Sequence, residues 1–186
     1  MKAKIAIVGS GNIGWALKPL LKSDYDLRQG DIADGFDAKD IDQVKDFLKG
    51  ADAVISAAPF AVNKNIATVA AEEGIAYFDL TEDVETTDFI KTLKSKSILM
   101  PQCGLAPGAI NICAASMMEE FDSVNEVLMR VGALPRFTTN EMSYYLSWST
   151  NGLINEYCNE ADAIYEGKAV KTMPLEGAEK IVIEGE

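Results

Sequence analysis

The feature that most constrains this chain lies in its first 31 residues. Lys4 to Val8 reads as a buried strand that runs into Gly9-Ser10-Gly11-Asn12-Ile13-Gly14, and a helical pattern follows. A second short strand ends at Asp31, twenty residues after Gly11. Strand, glycine turn, helix and a spaced acid together form a dinucleotide-binding fingerprint, whereas the glycine pattern alone is weak evidence. Gly9 permits the turn, Gly11 lets a pyrophosphate approach the backbone, and Gly14 allows close packing of the helix. The pyrophosphate is expected on the free N–H groups that open the helix, at Asn12 and Ile13. Asp31 is expected to accept from the adenosine ribose hydroxyls and to repel a 2′-phosphate. Ile32, Ala33 and Asp34 follow it with no cation, so NAD is expected and NADP is disfavoured. Arg28 is the nearest positive charge and argues mildly the other way.

At 186 residues and 48% apolar, the chain can build a sizeable core. A net charge of −12 speaks against nucleic acid and anionic membrane surfaces as partners. No signal peptide or membrane span is expected, since the first apolar run is broken by the glycine turn. Cys103, Cys113 and Cys158 are scattered and form no CxxC pair, so no metal is expected and a reducing cytoplasm fits. There is no histidine, which leaves acid–base chemistry to Asp, Glu, Lys, Tyr, Cys or water.

The first hundred residues alternate strand and helix. Strands are predicted near 4–8, 25–29, 53–57, 76–79 and 97–100. The second crossover helix is predicted to be short or absent. Asp40 is predicted to cap a helix facing inward through Ile41, Val44, Phe47 and Leu48. Further helices are predicted from Val62 to Gly74 and around Phe89, Ile90 and Leu93. Pro19 should kink the first helix or end it early. This alternation specifies a Rossmann-type, doubly wound parallel α/β sheet. Past Pro101 the texture changes. Ile110, Cys113, Ala114, Met117 and Phe121 recur at helical spacing. Alternating segments at Asn125–Val131, Met142–Trp148, Lys168–Met173 and Lys180–Ile183, with a helix over Thr150–Cys158, predict an α+β second domain with a mainly antiparallel sheet. The expected domains are 1–108, binding the dinucleotide, and 109–186.

These residues resemble the saccharopine dehydrogenase-like family, and most closely its lysine 6-dehydrogenase members. The likeness rests on Gly9 to Gly14, on Ser56-Ala57-Ala58-Pro59-Phe60, and on Tyr77-Phe78-Asp79-Leu80-Thr81. It continues through Cys103 to Ile112, through Val131-Gly132-Ala133-Leu134-Pro135, and through Leu146 to Tyr157. The later motifs are the more specific ones. The resemblance implies an NAD-dependent dehydrogenase that passes hydride from an amine-bearing carbon of lysine or a lysine adduct to nicotinamide. It also implies a small-molecule amine or amino-acid substrate and a homodimer formed through the second domain. Family chains run well beyond the point matching Glu186. The second domain is therefore expected to be incomplete, and a catalytically empty NAD-binding module is the alternative reading.

Several residues carry two readings each. Ala57, Ala58 and Pro59 either let the cofactor approach a strand end or simply pack. Asp79 either orients substrate or solvent, or is structural. Cys103 is either a group beside the nicotinamide or an inert thiol. Asn111 either satisfies loop backbone or touches ligand. Glu156 either binds a substrate amino group or lies on a solvated helix. Tyr144 is placed in a substrate cleft, while Tyr145 and Trp148 are expected in the core.

Overall fold

The computed structural model describes residues 2–132, 135, 137, 141, 145, 146, 149–177 and 179. Two compact units divide the chain, Met1–Tyr144 and Tyr145–Glu186.

In the first unit five parallel strands form one sheet in the order β2-β1-β3-β4-β5. They are β1 (Lys4–Val8), β2 (Asp26–Gly30), β3 (Ala53–Ser56), β4 (Ala76–Asp79) and β5 (Leu99–Met100). Helices α1 (Asn12–Leu21), α2 (Ile41–Leu48), α3 (Asn63–Glu73) and α4 (Val84–Thr92) link them. Each strand lies within two residues of its predicted position, because the apolar runs and the turns bounding them are local signals.

The chain steps from β1 to β2 on one side, then returns past β1 to β3 and continues to β4 and β5. With right-handed crossovers this reversal places α1 on one face of the sheet and α2, α3 and α4 on the other. The core confirms the assignment for the larger group. Ala6, Val8, Val54 and Tyr77 of the strands pack with Val44, Leu48, Ile66, Val69, Ala70 and Ile90 of these three helices. Local capping explains where the helices start. The Asp40 side chain accepts from the Asp42 and Gln43 N–H groups, and the Asp83 side chain accepts from Thr86 N–H. The crossover after β2 begins with a single 3-10 turn over Ile32–Asp34, and its helix, α2, is short at 8 residues.

Helix α1 runs through Pro19 and closes two residues later, with Lys22 N–H donating to Lys18 O at 3.1 Å. Helix α5 (Ala109–Met118) forms where its spacing predicted, but it buries no residue. The segment Asn125–Val131 is a correction. It forms no strand among the described residues, and residues 115–132 are all exposed. Alternation specifies a strand only when a ladder partner accepts it, and most of the nearest candidate, 142–148, lies outside the described residues.

In the second unit α6 (Thr150–Cys158) starts at Ser149, whose hydroxyl accepts from Gly152 N–H at 3.1 Å. An antiparallel hairpin follows, β6 (Ala161–Tyr165) and β7 (Lys168–Thr172). Its two-residue turn places both Glu166 (φ 51°) and Gly167 (φ 73°) in the left-handed region, the geometry that suits strand twist. The β6 half was not predicted. Tyr145, expected in the core, is 67% exposed, which is a second correction. Trp148 and Lys180–Ile183 lie outside the described residues. Among the described residues no helix is long and apolar enough to cross a membrane.

Candidate functional site

The reversal between β1 and β3 is a topological switch point. In open parallel sheets the crevice beyond the carboxyl ends of such strands is where ligands bind. The glycine turn lies there. Gly9 has φ +100°, and a Cβ on it would come within 2.8 Å of Ala57 O. A Cβ on Gly14 would stand 2.1 Å from Gly9 O, so helix α1 rests directly on the turn. Gly11 differs, since a Cβ there would meet nothing within 4 Å. The turn is thus closed beneath and open above. Gly11 is also the residue preceding α1, with no side chain capping the first N–H groups. An open shelf over uncapped helical N–H groups fits the pyrophosphate of a dinucleotide.

Three hydrogen bonds pin this turn to the end of β2. Gly9 N–H donates to Gly30 O at 2.8 Å. Gln29 Nε2 donates to Gly9 O at 2.9 Å. Ser10 N–H donates to Asp31 Oδ2 at 2.7 Å. Asp31 Oδ1 also accepts from Ala33 N–H at 3.0 Å. Gln29 is a contributor that sequence reasoning missed, because nothing in the motif marks a strand residue whose side chain returns to the glycine carbonyl. Asp31 is only partly buried, which leaves its carboxylate within reach of a ribose hydroxyl. Ile32, on the turn that follows, is 72% exposed.

Hydrogen bonds from Ala33 N–H, then from Ser10, hold the Asp31 carboxyl below its usual 3.8. With the folded value depressed, these contacts are fully present above 3.8 and are lost as pH falls through the lower folded value. Acid titration followed by the Ser10 and Ala33 amide resonances should therefore give a midpoint below 3.8. A midpoint at or above that value would remove these bonds from the account.

Ala57 and Ala58, just beyond β3, pack under Gly9, and Ala57 N–H donates to Val8 O at 2.8 Å. Pro59 beside them is exposed. Arg28 faces away from this edge. Its Nη1 donates to Lys49 O at 3.0 Å, and its guanidinium lies 5.3 Å from the centre of the Phe47 ring.

At the end of β4 the structure gathers a buried polar network. Asp79 is fully buried, paired across the sheet with Ser56. Its Oδ2 accepts from Tyr77 Oη at 2.6 Å and Asn63 Nδ2 at 3.2 Å. Its Oδ1 accepts from Thr81 N–H at 3.0 Å and Gln102 N–H at 3.1 Å. Ser56 Oγ donates to Asn63 Oδ1 at 2.7 Å and completes the chain. Burial pushes the Asp79 carboxyl up, and the four donors pull against that. The Tyr77 hydroxyl is pushed up by burial and by the neighbouring carboxylate, so it stays protonated and donates. Four acceptor sites filled by four donors leave Asp79 none for an outside ligand, which favours its structural reading.

Cys103 is half-buried. Its N–H donates to Asp79 O at 2.7 Å, and its thiol donates to Met100 O at 3.3 Å. Burial, then the Asp79 charge, pushes this thiol up, away from the thiolate a nucleophile requires. The loop beyond it closes on itself. Ala109 N–H donates to Gly104 O at 2.9 Å, and Asn111 Oδ1 accepts from Gly108 N–H at 3.0 Å, so Asn111 serves the loop backbone. In the second unit Glu156 is exposed on α6. Tyr144 lies outside the described residues.

Sheet order, switch point and glycine turn define a Rossmann-type α/β protein. A family model for the saccharopine dehydrogenase C-terminal domain matches residues 104–185. The fold is also similar to that of apo saccharopine dehydrogenase (L-Glu forming) from Saccharomyces cerevisiae. That likeness has a TM-score of 0.63 and 19% identity over 92% of this chain and 44% of the yeast chain. The chain is thus similar to saccharopine dehydrogenases in part of its sequence and in its fold, and it spans less than half the length of that yeast relative. Weaker likenesses link it to RSP, a Rex-family repressor, with TM-score 0.43 and 21% identity over 64% of this chain and 61% of that one. An oxidoreductase from Sinorhizobium meliloti gives TM-score 0.39 and 16% identity over 53% and 36%.

Proposed function

We propose that this chain binds NAD at the carboxyl edge of its parallel sheet and serves an oxidoreductase acting on a CH–NH group of lysine or a lysine adduct. The observation that carries the reading is the pinned glycine turn, open above Gly11, with the Asp31 carboxylate held beside it by Ser10 and Ala33. NAD, when bound, supplies the hydride acceptor. The residues of this chain bind and orient. The first N–H groups of α1 face the pyrophosphate, Asp31 takes the ribose hydroxyls, and Ala57 and Ala58 form the floor. Preference for NAD over NADP is supported by Asp31, and by Arg28 being engaged with Lys49 O and Phe47 instead of facing the ribose. The lysine-type substrate is supported by the family. The free cysteines Cys103, Cys113 and Cys158 support a cytoplasmic setting, and family likeness supports a homodimer through the second domain.

Thermal unfolding with each nucleotide tests the cofactor. Ligand at about 100 times its Kd stabilises by about 2.7 kcal/mol, a rise of roughly 5–11 °C for a chain of this size. NAD should produce that rise and NADP should not, and Asp31→Ala should abolish the difference. A panel of lysine and lysine adducts, followed by NADH absorbance, then tests turnover. Equal shifts with both nucleotides would overturn the NAD preference. A specific observation favours the second reading, a binding module without turnover. Asp79 and Cys103 are both committed to internal hydrogen bonds, which leaves no free acid–base group among the catalytic candidates named from the sequence.

A further inference from the structure

A dinucleotide seated on the glycine turn must send its two nucleosides to opposite sides of the phosphates. Asp31 fixes the adenosine side, over β2. The nicotinamide half then falls on the other side of β1, over the carboxyl ends of β3 and β4 and beside the 101–108 loop. On that side the buried Asp79 holds the wall. Asp79 grips the loop twice, through Oδ1 to Gln102 N–H and through its own carbonyl to Cys103 N–H. Gln102 has φ 64°, a left-handed conformation that a non-glycine residue keeps only when its surroundings enforce it. Behind the carboxylate, Tyr77 and Asn63 anchor Oδ2 to the core, and Ser56 ties Asn63 to the end of β3.

We infer that Asp79 is a positioning residue for the nicotinamide half of the dinucleotide, acting through the backbone of Gln102 and Cys103. The inference rests on the dinucleotide reading above. Being fully buried, the carboxylate acts at one remove and never touches the ligand. A purely structural Asp79 would support both halves of the site alike. A positioning Asp79 supports one half only, and that difference can be measured.

The experiment is calorimetric titration of the purified chain with NAD and with ADP-ribose, which lacks the nicotinamide. Asp79→Asn keeps the shape but turns one acceptor into a donor. It should weaken NAD about tenfold while ADP-ribose changes by less than about twofold. Tyr77→Phe deletes one hydrogen bond to Oδ2 and keeps the ring in the core. It should show the same selectivity at smaller amplitude, and it decides the matter if Asp79→Asn fails to fold. Parallel loss of both ligands, or NAD affinity unchanged in a folded variant, overturns the inference. So does a wild-type chain that binds NAD no more tightly than ADP-ribose. A wild-type chain that binds neither overturns the dinucleotide reading itself, and the inference with it.

Discussion

Gly14→Ala is expected to abolish dinucleotide binding and to destabilise the first unit, whereas Gly11→Ala should abolish binding alone. The contrast follows from the space around each residue. A methyl group on Gly14 would stand 2.1 Å from Gly9 O, a backbone atom fixed by the bond from Gln29 Nε2. Either α1 must lift away or the turn must open. Overpacking of this severity costs about 3 kcal/mol or more, and at roughly 2–4 °C per kcal/mol it should lower Tm by roughly 6–12 °C. The same methyl group on Gly11 meets nothing within 4 Å, and Gly11 has an ordinary φ of −63°. Its cost to the free protein should fall within about 0.5 kcal/mol. It would instead fill the open shelf proposed for the pyrophosphate. Thermal melts with and without NAD separate the two cases. Equal melting temperatures for the two variants would contradict the geometry.

Leu48→Ala is expected to give the largest loss of stability with no direct effect on the site. Leu48 closes α2 and is fully buried against the sheet in the main core. Removing a leucine side chain from such a position costs about 2–5 kcal/mol, because the cavity left behind collapses only in part. The glycine turn lies at the other end of this crossover, so any NAD bound at temperatures where the variant is folded should bind with unchanged affinity. Urea unfolding with a parallel titration tests both statements. A loss below about 1 kcal/mol would mean that the core repacks freely around α2.

What could be read from the sequence was local. The turn from Gly9 to Gly14, the Asp40 cap and the Thr150 to Cys158 helix each depend on residues within one or two turns of chain. The site's deeper organisation is not local. Asp79 takes its partners from Tyr77, Thr81, Asn63 on α3 and Gln102 beyond β5, and no spacing rule connects those four. Gln29 was invisible for the same reason. Asn125–Val131 and Tyr145 failed in another way. Apolar alternation and an aromatic ring say that a segment can be covered, not that anything covers it, and both are exposed here.

The three bonds between the glycine turn and the end of β2 have a thermodynamic consequence for recognition. The proposed phosphate cradle is assembled by the same contacts that fold the first crossover, so its ordering entropy belongs to folding and not to ligand capture. Association at that end should then be lock-like, with an on-rate set by diffusion and orientation instead of by a rearranging loop. Selectivity would rest on charge and shape already in place before the ligand arrives.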